Sequence, residues 1–562
     1  MPDETAVTGS VDSSEKRREE DCQTLSDESA GSGTPDTGEL RGALPPSEPD
    51  QVSPESEATP SGERQTTSTG PVGRALKDWG PWKRWTYFRE FRRHELEEPD
   101  FWQQRDLEEN AQGRLPDDER IQVPAIWVAE LYTPSTVAGL LDGITELGWE
   151  YGRSRSDSLT KWMSDAREGR GAGWTSLGLV SPPKNPHLMR ERTAPLPEGV
   201  TAALPVLMSV TPSVTAFVIA FLMEDDTADL LDEPLRASFS TAARRDPLFR
   251  PWHVVRYVFR NGSVRFGHSI HHPDMIRRDR VKSSMRELER ECVNWVRGHL
   301  PGAFAALAGA SLPTATLFVT EQVQPLTEEA REIRAFDGLA IDRDYDAWES
   351  DEWPRARLVL PRSWDGEGSR LVFACRRRNA FPDQPGYPDP NSNWTIAQRA
   401  DDLVRGLLSR WSLTCLLDGY HERLSALRDR TARDGGYRPV HDLKQLRSLA
   451  RTALYDITAC AQEIEEFVES DSAYRHGVLE MAYAREVRGE RPDLLAGLRS
   501  SQRMRAQQVR RESGLLQSTL STSNDLSQTI SNIRIQRLVV LLTVVSIAIA
   551  LWAVSLALRA TP

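Results

Sequence analysis

LVVLLTVVSIAIALWAVSLAL, Leu538 to Leu558, runs for 21 residues without a charge. At a rise of 1.5 Å per residue such a helix is about 30 Å long, the thickness of a bilayer's hydrocarbon core, so the stretch is read as a transmembrane helix. Only Arg559, Ala560, Thr561 and Pro562 follow it. Lys and Arg beside a span favour the cytoplasmic side. Arg534 and Arg537 precede the span and Arg559 follows it, while Met1 to Gly70 contains no apolar signal-peptide core. The expected topology is a single-pass, tail-anchored protein of the inner (plasma) membrane, with its N-terminal bulk in the cytoplasm.

Composition fits that placement. Cys22, Cys292, Cys375, Cys415 and Cys460 show no CxxC spacing, which suits neither a disulfide framework nor a zinc knuckle. The net charge of −13 is concentrated in Met1 to Gly70, where 16 Asp and Glu face 5 Lys and Arg. The remainder is nearly neutral and carries no general basic footprint for nucleic acid. Arginine greatly outnumbers lysine, as in proteins from GC-rich bacterial genomes.

Residues 1–72 are rich in Ser, Thr, Pro, Gly and acid, and cannot bury enough apolar surface to offset ordering entropy. A disordered acidic tail is expected. In residues 73–118, Trp82, Trp85, Phe88 and Phe91 recur every three positions among Lys83, Arg84, Arg89, Arg92 and Arg93. This aromatic, basic, amphipathic segment suits packing on the following domain, with an anionic membrane face as the alternative.

Residues 119–392 read as an α+β domain with a mixed, largely antiparallel sheet. Ile121 to Tyr132 is a strand, and Thr133-Pro134 supplies an N-cap and first-turn proline for a helix with Val137, Leu140, Leu141, Ile144 and Leu147 on one face. Leu204 to Val210 and Thr215 to Met223 flank a Thr211-Pro212-Ser213 turn. HVVRYVFRNGSVRFGHSI is a hairpin signal whose Asn261-Gly262 suits a type I′ turn. A long helix with Met285, Leu288, Cys292, Trp295 and Val296 on its apolar side follows, then strands at Ala315 to Thr320, Arg357 to Leu360 and Leu371 to Cys375.

Residues 393–537 read as long antiparallel helices: Thr395 to Asp434, Val440 to about Gly489, and Pro492 onward into the span at 538–558. Leu515, Thr519, Thr522, Leu526, Thr529 and Ile533 step by alternating fours and threes, a coiled-coil seam that suits a stalk, within the chain or between copies. The pattern SQTISNIRIQRLVVLLTVVSIAIALWAV, Ser527 to Val554, resembles the stalk helix and first span of CorA-type magnesium transporters. The likeness covers about Thr395 to Leu558 and rests on pattern. The family's Gly-Met-Asn signature and second span do not occur in this sequence, so the resemblance implies an oligomeric, stalked membrane protein. Truncated relatives of this kind also resemble membrane effectors of bacterial conflict systems.

Candidate chemistry is sparse. In the register set by Asn261-Gly262, Val255 faces His268 and His253 faces Ile270, which puts both histidines on one face, followed by His271, His272 and Asp274. Imidazoles with a carboxylate suit a divalent metal, and histidines packed at a core edge explain the pattern equally. Asp342, Asp344, Asp346, Glu349, Asp351 and Glu352 form an acidic cluster, but Ala347 stands where a calcium loop needs glycine and Trp353 where it needs Glu. GRGAG, Gly169 to Gly173, follows a helix and not a strand, so it reads as a flexible loop. Walker A, nucleophile elbow, HExxH and kinase signatures are lacking, and no cofactor is implied. The sequence leans away from an enzyme. Three readings stand: a membrane-tethered sensor or adaptor for a cytosolic protein or small ligand, an oligomeric pore or membrane effector with Thr543, Ser546 and Ser555 facing an axis, and a tethered metal-dependent enzyme.

Overall fold

The computed structural model describes Trp82, Lys83, Thr86 and residues 99–150, 158–170, 173–183, 192–245, 268–307, 309–339, 346–353, 355–360, 369–380, 389–433, 440–487 and 489–560. The acidic tail and most of the Trp82 to Phe91 stripe lie outside them. Trp82 itself is exposed.

Among the described residues the strands are β1 Ile121–Tyr132, β2 Trp174–Ser176, β3 Val180–Ser181, β4 Arg192–Thr193, β5 Val200–Thr211, β6 Val214–Met223, β7 Ala242–Arg245, β8 His268–His271, β9 Thr314–Thr320, β10 Ala347–Glu349, β11 Arg357–Val359, β12 Arg370–Arg376 and β13 Ala482–Tyr483. The longer helices are α1 Pro99–Gly113, α2 Val137–Glu146, α3 Leu159–Arg167, α4 Pro273–His299, α5 Asn393–Arg433, α6 Val440–Glu469 and α7 Leu494–Ala560. The fold is α+β. One sheet runs β13-β10-β11-β12-β9-β1-β6-β5-β3-β4, with β2 also on β5, and β7 and β8 form a separate ribbon. Its pairings are antiparallel except β9 with β12 and β3 with β4.

The centre of the sheet is covered on both sides. Every residue of β1, and every residue of β6, is buried. Alternate residues of a strand face opposite ways, and β1 shows where each face leads. Trp127 donates its indole N–H to Asp401 of α5 at 2.8 Å, whereas Tyr132 donates its hydroxyl to the carbonyl of Leu300, just past α4, at 2.7 Å. On the α4 side Trp295 meets Phe221 edge-on at 5.7 Å, and Glu289 accepts from Thr316 at 2.9 Å. Pro124 sits where the β1–β9 register shifts, between Gln122 and Ala125. A proline has no ladder N–H to give, and a bulge removes the need for one.

Glu130, fully buried, is the carboxylate of this core. It accepts the backbone N–H of Leu131 at 2.9 Å, Phe304 at 2.9 Å and Ala305 at 3.2 Å. A Cβ on Gly302 would stand 2.6 Å from its Cγ, so glycine is what lets the 302–305 turn close over it. Burial pushes the Glu130 carboxyl up to about 7 from an ordinary 4.5, against the pull of those amides. Burial likewise pushes Asp401 up to about 6 from 3.8, with Arg405 and the Trp127 indole opposing. Both acids hold their protons to higher pH folded than unfolded, so stability falls as pH rises from the unfolded to the folded value of each. The thermal midpoint should therefore rise between about pH 7.5 and about pH 5.5, with Glu130 giving at most about 1.4 kcal/mol per pH unit. Glu130→Gln should flatten that slope in a pH series of thermal melts; an unchanged slope would place the titrating groups elsewhere.

The helices α5, α6 and α7 form a bundle that shares its buried core with the sheet. The sequence places strands only before residue 392, yet β13 returns from the helical region to pair with β10 at the sheet edge. The second long helix, expected to about Gly489, ends at Glu469. Arg499 of α7 explains the stop: its guanidinium takes the carbonyls of Val468 at 2.9 Å and Glu469 at 3.3 Å, end groups that a continuing helix would use itself. Past Gly477, at φ +65°, the chain turns to β13. Helix α7 is 67 residues long and does not break between bundle and span. Among its described side chains the last buried one is Leu516, and its apolar segment Asn532–Leu556 is wholly exposed, long enough and apolar enough to cross a bilayer. Leu515, Thr519, Thr522 and Ile533 of the expected seam are exposed on the single chain.

Candidate functional site

Where the sheet meets the bundle, α6 presents a polar stripe on an otherwise apolar face. Asp456, Cys460 and Glu463 follow at intervals of four and three, and so stand one above another between Leu454, Ile457 and Ile464. Asp456 accepts the hydroxyl of Thr133 at 2.5 Å, and the hydroxyl and backbone N–H of Ser135 at 2.7 and 3.2 Å. Two turns on, Glu463 accepts the backbone N–H and hydroxyl of Ser213, each at 2.6 Å. These carboxylates grip the turn after β1 and the β5–β6 turn. Thr133 is thus not the N-cap expected of it; α2 starts after Thr136, because the Thr133 hydroxyl is taken by a carboxylate from across the fold.

Arg167, at the end of α3, completes this joint by donating to the Ser213 carbonyl at 2.9 Å. Burial pulls its guanidinium below the ordinary value, while Cys460, Glu463 and Asp456 raise it. Burial pushes the Cys460 thiol up to about 12, and does the same to Cys375 and Cys415, which favours the protonated thiol.

From the joint, contacts lead directly to α7. Glu465 of α6 meets Gln507 at 3.0 Å and pairs with Arg510, Thr458 donates to Ser513 at 3.2 Å, and Glu469 pairs with Arg503 at 2.8 Å. Helix α5 joins the same path. Gln502 of α7, fully buried, donates to the Arg410 carbonyl at 2.6 Å and to Thr414 at 2.9 Å, and accepts from Tyr474 at 2.9 Å. Arg410 is 5 % exposed and lies 4.8 Å over the Phe467 ring, with its Nε donating to the Tyr474 carbonyl at 3.0 Å. Burial lowers this guanidinium to about 10.

The opposite end of the sheet carries a charged clasp. Arg377, after β12, reaches Glu321 at 2.5 Å, Asn393 of α5 at 2.8 Å, and Gln122 of β1. Glu119 accepts the N–H groups of Glu321 and Val323, both at 2.7 Å. These bonds close the rim with the chain's own groups.

The histidine reading fares unevenly. His253 and the Asn261-Gly262 turn lie outside the described residues. His268 falls in β8, where Arg245 stands opposite it and His271 stands opposite Ala242. His271 lies 3.8 Å from Asp279, His272 precedes α4, and Asp274 pairs with Arg277 at 2.8 Å. Among the described residues no three His, Cys, Asp or Glu side chains gather at metal-binding spacing. Of the acidic cluster, Asp342 and Asp344 lie outside the described residues. Asp346 accepts from Tyr483 at 2.7 Å, and Glu349 pairs with Arg357 and with Arg491 at 3.2 Å, so these two serve the β10–β13 edge. Gly169, at φ +73°, terminates α3.

No protein-family model, curated protein or solved structure matches this chain. The joint was missed because a polar residue on an amphipathic helix reads by default as solvated. The signal lay in position: Asp456 and Glu463, seven apart, fall on the side that Leu454, Ile457 and Ile464 mark as buried.

Proposed function

We propose that this protein is a bilayer-anchored sensor or adaptor of the inner membrane, whose cytoplasmic α+β domain binds a protein or small ligand and passes its state to the membrane through α6 and α7. The observation that carries this reading is the unbroken helix α7, packed at one end against helices that grip the sheet and bare and apolar at the other. A rigid helix transmits a shift at its packed end to its far end, as a flexible tether cannot. The buried thiols and the engaged carboxylates support binding and relay over catalysis.

The test is to replace Asp456 and Glu463 together by alanine in the full-length protein. Losing both carboxylates leaves partly buried donors without acceptors, at about 1–3 kcal/mol each. Amides of residues 494–516 should then exchange at least about tenfold faster, with membrane association unchanged. Unchanged exchange in α7 would show that α6 does not carry the joint's state.

An oligomeric pore or effector is the second reading. The exposed seam residues Leu515 and Ile533 favour association between copies, in line with the CorA-like pattern. Against a polar axis, the Thr543 hydroxyl donates to the Val539 carbonyl at 2.8 Å and the Ser555 hydroxyl to that of Trp552 at 2.9 Å, within their own helix. Light scattering in mild detergent separates the two: a monomer leaves no conduction path, and a ring-sized oligomer calls for ion-flux assays in liposomes.

A further inference from the structure

Between Met481 and Leu494, both buried, the chain leaves the bundle and returns to it as a β-hairpin. Ala482 bridges Asp493, Tyr483 donates its N–H to the Pro492 carbonyl at 2.8 Å, and Val487 and Glu490 exchange N–H and carbonyl at 2.8 and 3.2 Å. Gly489, at φ +84°, lies at the tip. One arm of this hairpin is β13, and it lies on β10: Trp348 stands opposite Tyr483, Glu349 opposite Ala482, and the Ala484 N–H reaches the Ala347 carbonyl at 2.9 Å. The hairpin thus covers the sheet edge, and its internal bonds let it lift as a unit.

The cover is lightly held. Among the described residues from 482 to 493 none is buried. Its side chains hold the rim through the Tyr483 hydroxyl on Asp346 at 2.7 Å, the Tyr483 ring edge-on to Trp348 at 5.3 Å, Arg491 on Glu349 at 3.2 Å, and Arg485 on Glu328. Ion pairs between exposed partners contribute little. The fit is also incomplete, because the indole N–H of Trp348 is buried at this edge without a hydrogen-bond acceptor. A buried donor left in that state destabilises the arrangement that leaves it so.

We propose that β10 is a docking edge for an extended segment of a cytosolic partner protein, and that the hairpin at 482–493 is an exchangeable cover occupying that edge at rest. This rests on the adaptor reading. Lifting the hairpin bares the outer backbone groups of β10, and a strand added to an open edge gains main-chain hydrogen bonds while its side chains set specificity. The cover shows which chemistry the edge takes: a ring against Trp348, and a hydroxyl or cation for Asp346 and Glu349. A partner strand with an aromatic residue beside basic ones, and an acceptor for the Trp348 indole, matches the edge better than the cover does. The start of α7 follows the cover directly. Asp493, where the two join, accepts the N–H of Leu495 at 2.9 Å and pairs with Arg475, so displacement of the hairpin is felt at the head of α7.

The test uses the full-length protein in lipid nanodiscs, with a fluorescent synthetic peptide of residues 479–487 as the strand. Ala484→Pro in the protein removes the N–H that the cover gives to Ala347, and should let the peptide bind at least about tenfold more tightly than it binds the parent, by fluorescence anisotropy. A second variant, with residues 483–492 replaced by glycine and serine, should behave alike. Binding should slow amide exchange at residues 347–349, and should be lost when the peptide itself carries Ala484→Pro. Equal affinity for parent and variants, where exchange at 347–349 shows the variants' edge to be bare, overturns the proposal. Undiminished binding of the proline peptide also overturns it. So does a variant that doubles in mass by light scattering without peptide, because the edge then takes a second copy of this chain. Peptide binding that leaves exchange in residues 494–516 unchanged supports the docking edge and counts instead against the relay through α7.

Discussion

Removing residues 532–562 should transfer the protein completely from the membrane fraction to the soluble fraction. The apolar segment has a mean hydropathy of 2.6 and is 0 % buried in the fold, so nothing in the described protein covers it. Leu, Ile and Val in a span contribute about −0.3 to −0.6 kcal/mol each to insertion, and a single Arg at the centre would cost about 2.5–3.5 kcal/mol. With charge absent between Leu538 and Leu558, the sum lies far on the side of insertion. What the deletion leaves of α7 is packed into the bundle as far as Leu516 and rich in Ser and Thr beyond it. Sedimentation of the shortened protein with membranes, after carbonate washing, would mean that another part of the chain holds lipid, and the Trp82 to Phe91 stripe would be the first place to look.

Gly406→Val should lower stability by about 3 kcal/mol, the upper part of the range for overpacking a close contact. A Cβ at this position of α5 would stand 2.3 Å from the carbonyl oxygen of Gly477 and 3.2 Å from the Cα of Val478. Both obstacles are backbone and cannot swing aside. The displaced segment carries the buried Val478, Leu479 and Met481, and one turn further along α5 the Arg410 guanidinium holds the carbonyl of Tyr474. Gly406→Ala is the sharper comparison, since alanine gains about 1 kcal/mol of helix propensity over glycine. A net loss in thermal melts in detergent would show that backbone contact outweighs propensity. A gain would mean that the two segments do not approach so closely.

The parts of this fold legible in the sequence are those written in local periodicity. β1 occupies Ile121–Tyr132 as read, and β6, β9, β12 and the start of α5 fall within two residues of expectation. Met285, Leu288, Cys292, Trp295 and Val296 are all buried on α4. Of the short strands, β11 is legible at Arg357 to Leu360, whereas β2, β3, β4, β10 and β13 are not, because three residues such as Ala347–Glu349 show no alternation to count; β10 exists through its pairing with β11 and β13. The end of α6 was misread because its terminator, Arg499, lies thirty positions away in the chain. The candidate site shows the same divide. Histidines stand out as residue types, whereas Asp456 and Glu463 acquire their roles only when Thr133 and Ser213 are brought to them.

β13 is the edge strand of the sheet, yet it is encoded more than a hundred positions after β12 and just before the helix that ends in the apolar span. On the ribosome, the sheet waits with the outer edge of β10 open while the whole α5–α6 hairpin is synthesised. An exposed edge is a template for pairing with other chains, so the nascent protein carries an aggregation hazard until Tyr483 emerges. The hydrophobic segment follows 49 positions later. Completion of the sheet and emergence of the apolar segment are thereby tied to one late interval of translation, and any gene fusion that cuts between residues 392 and 483 inherits an open sheet edge.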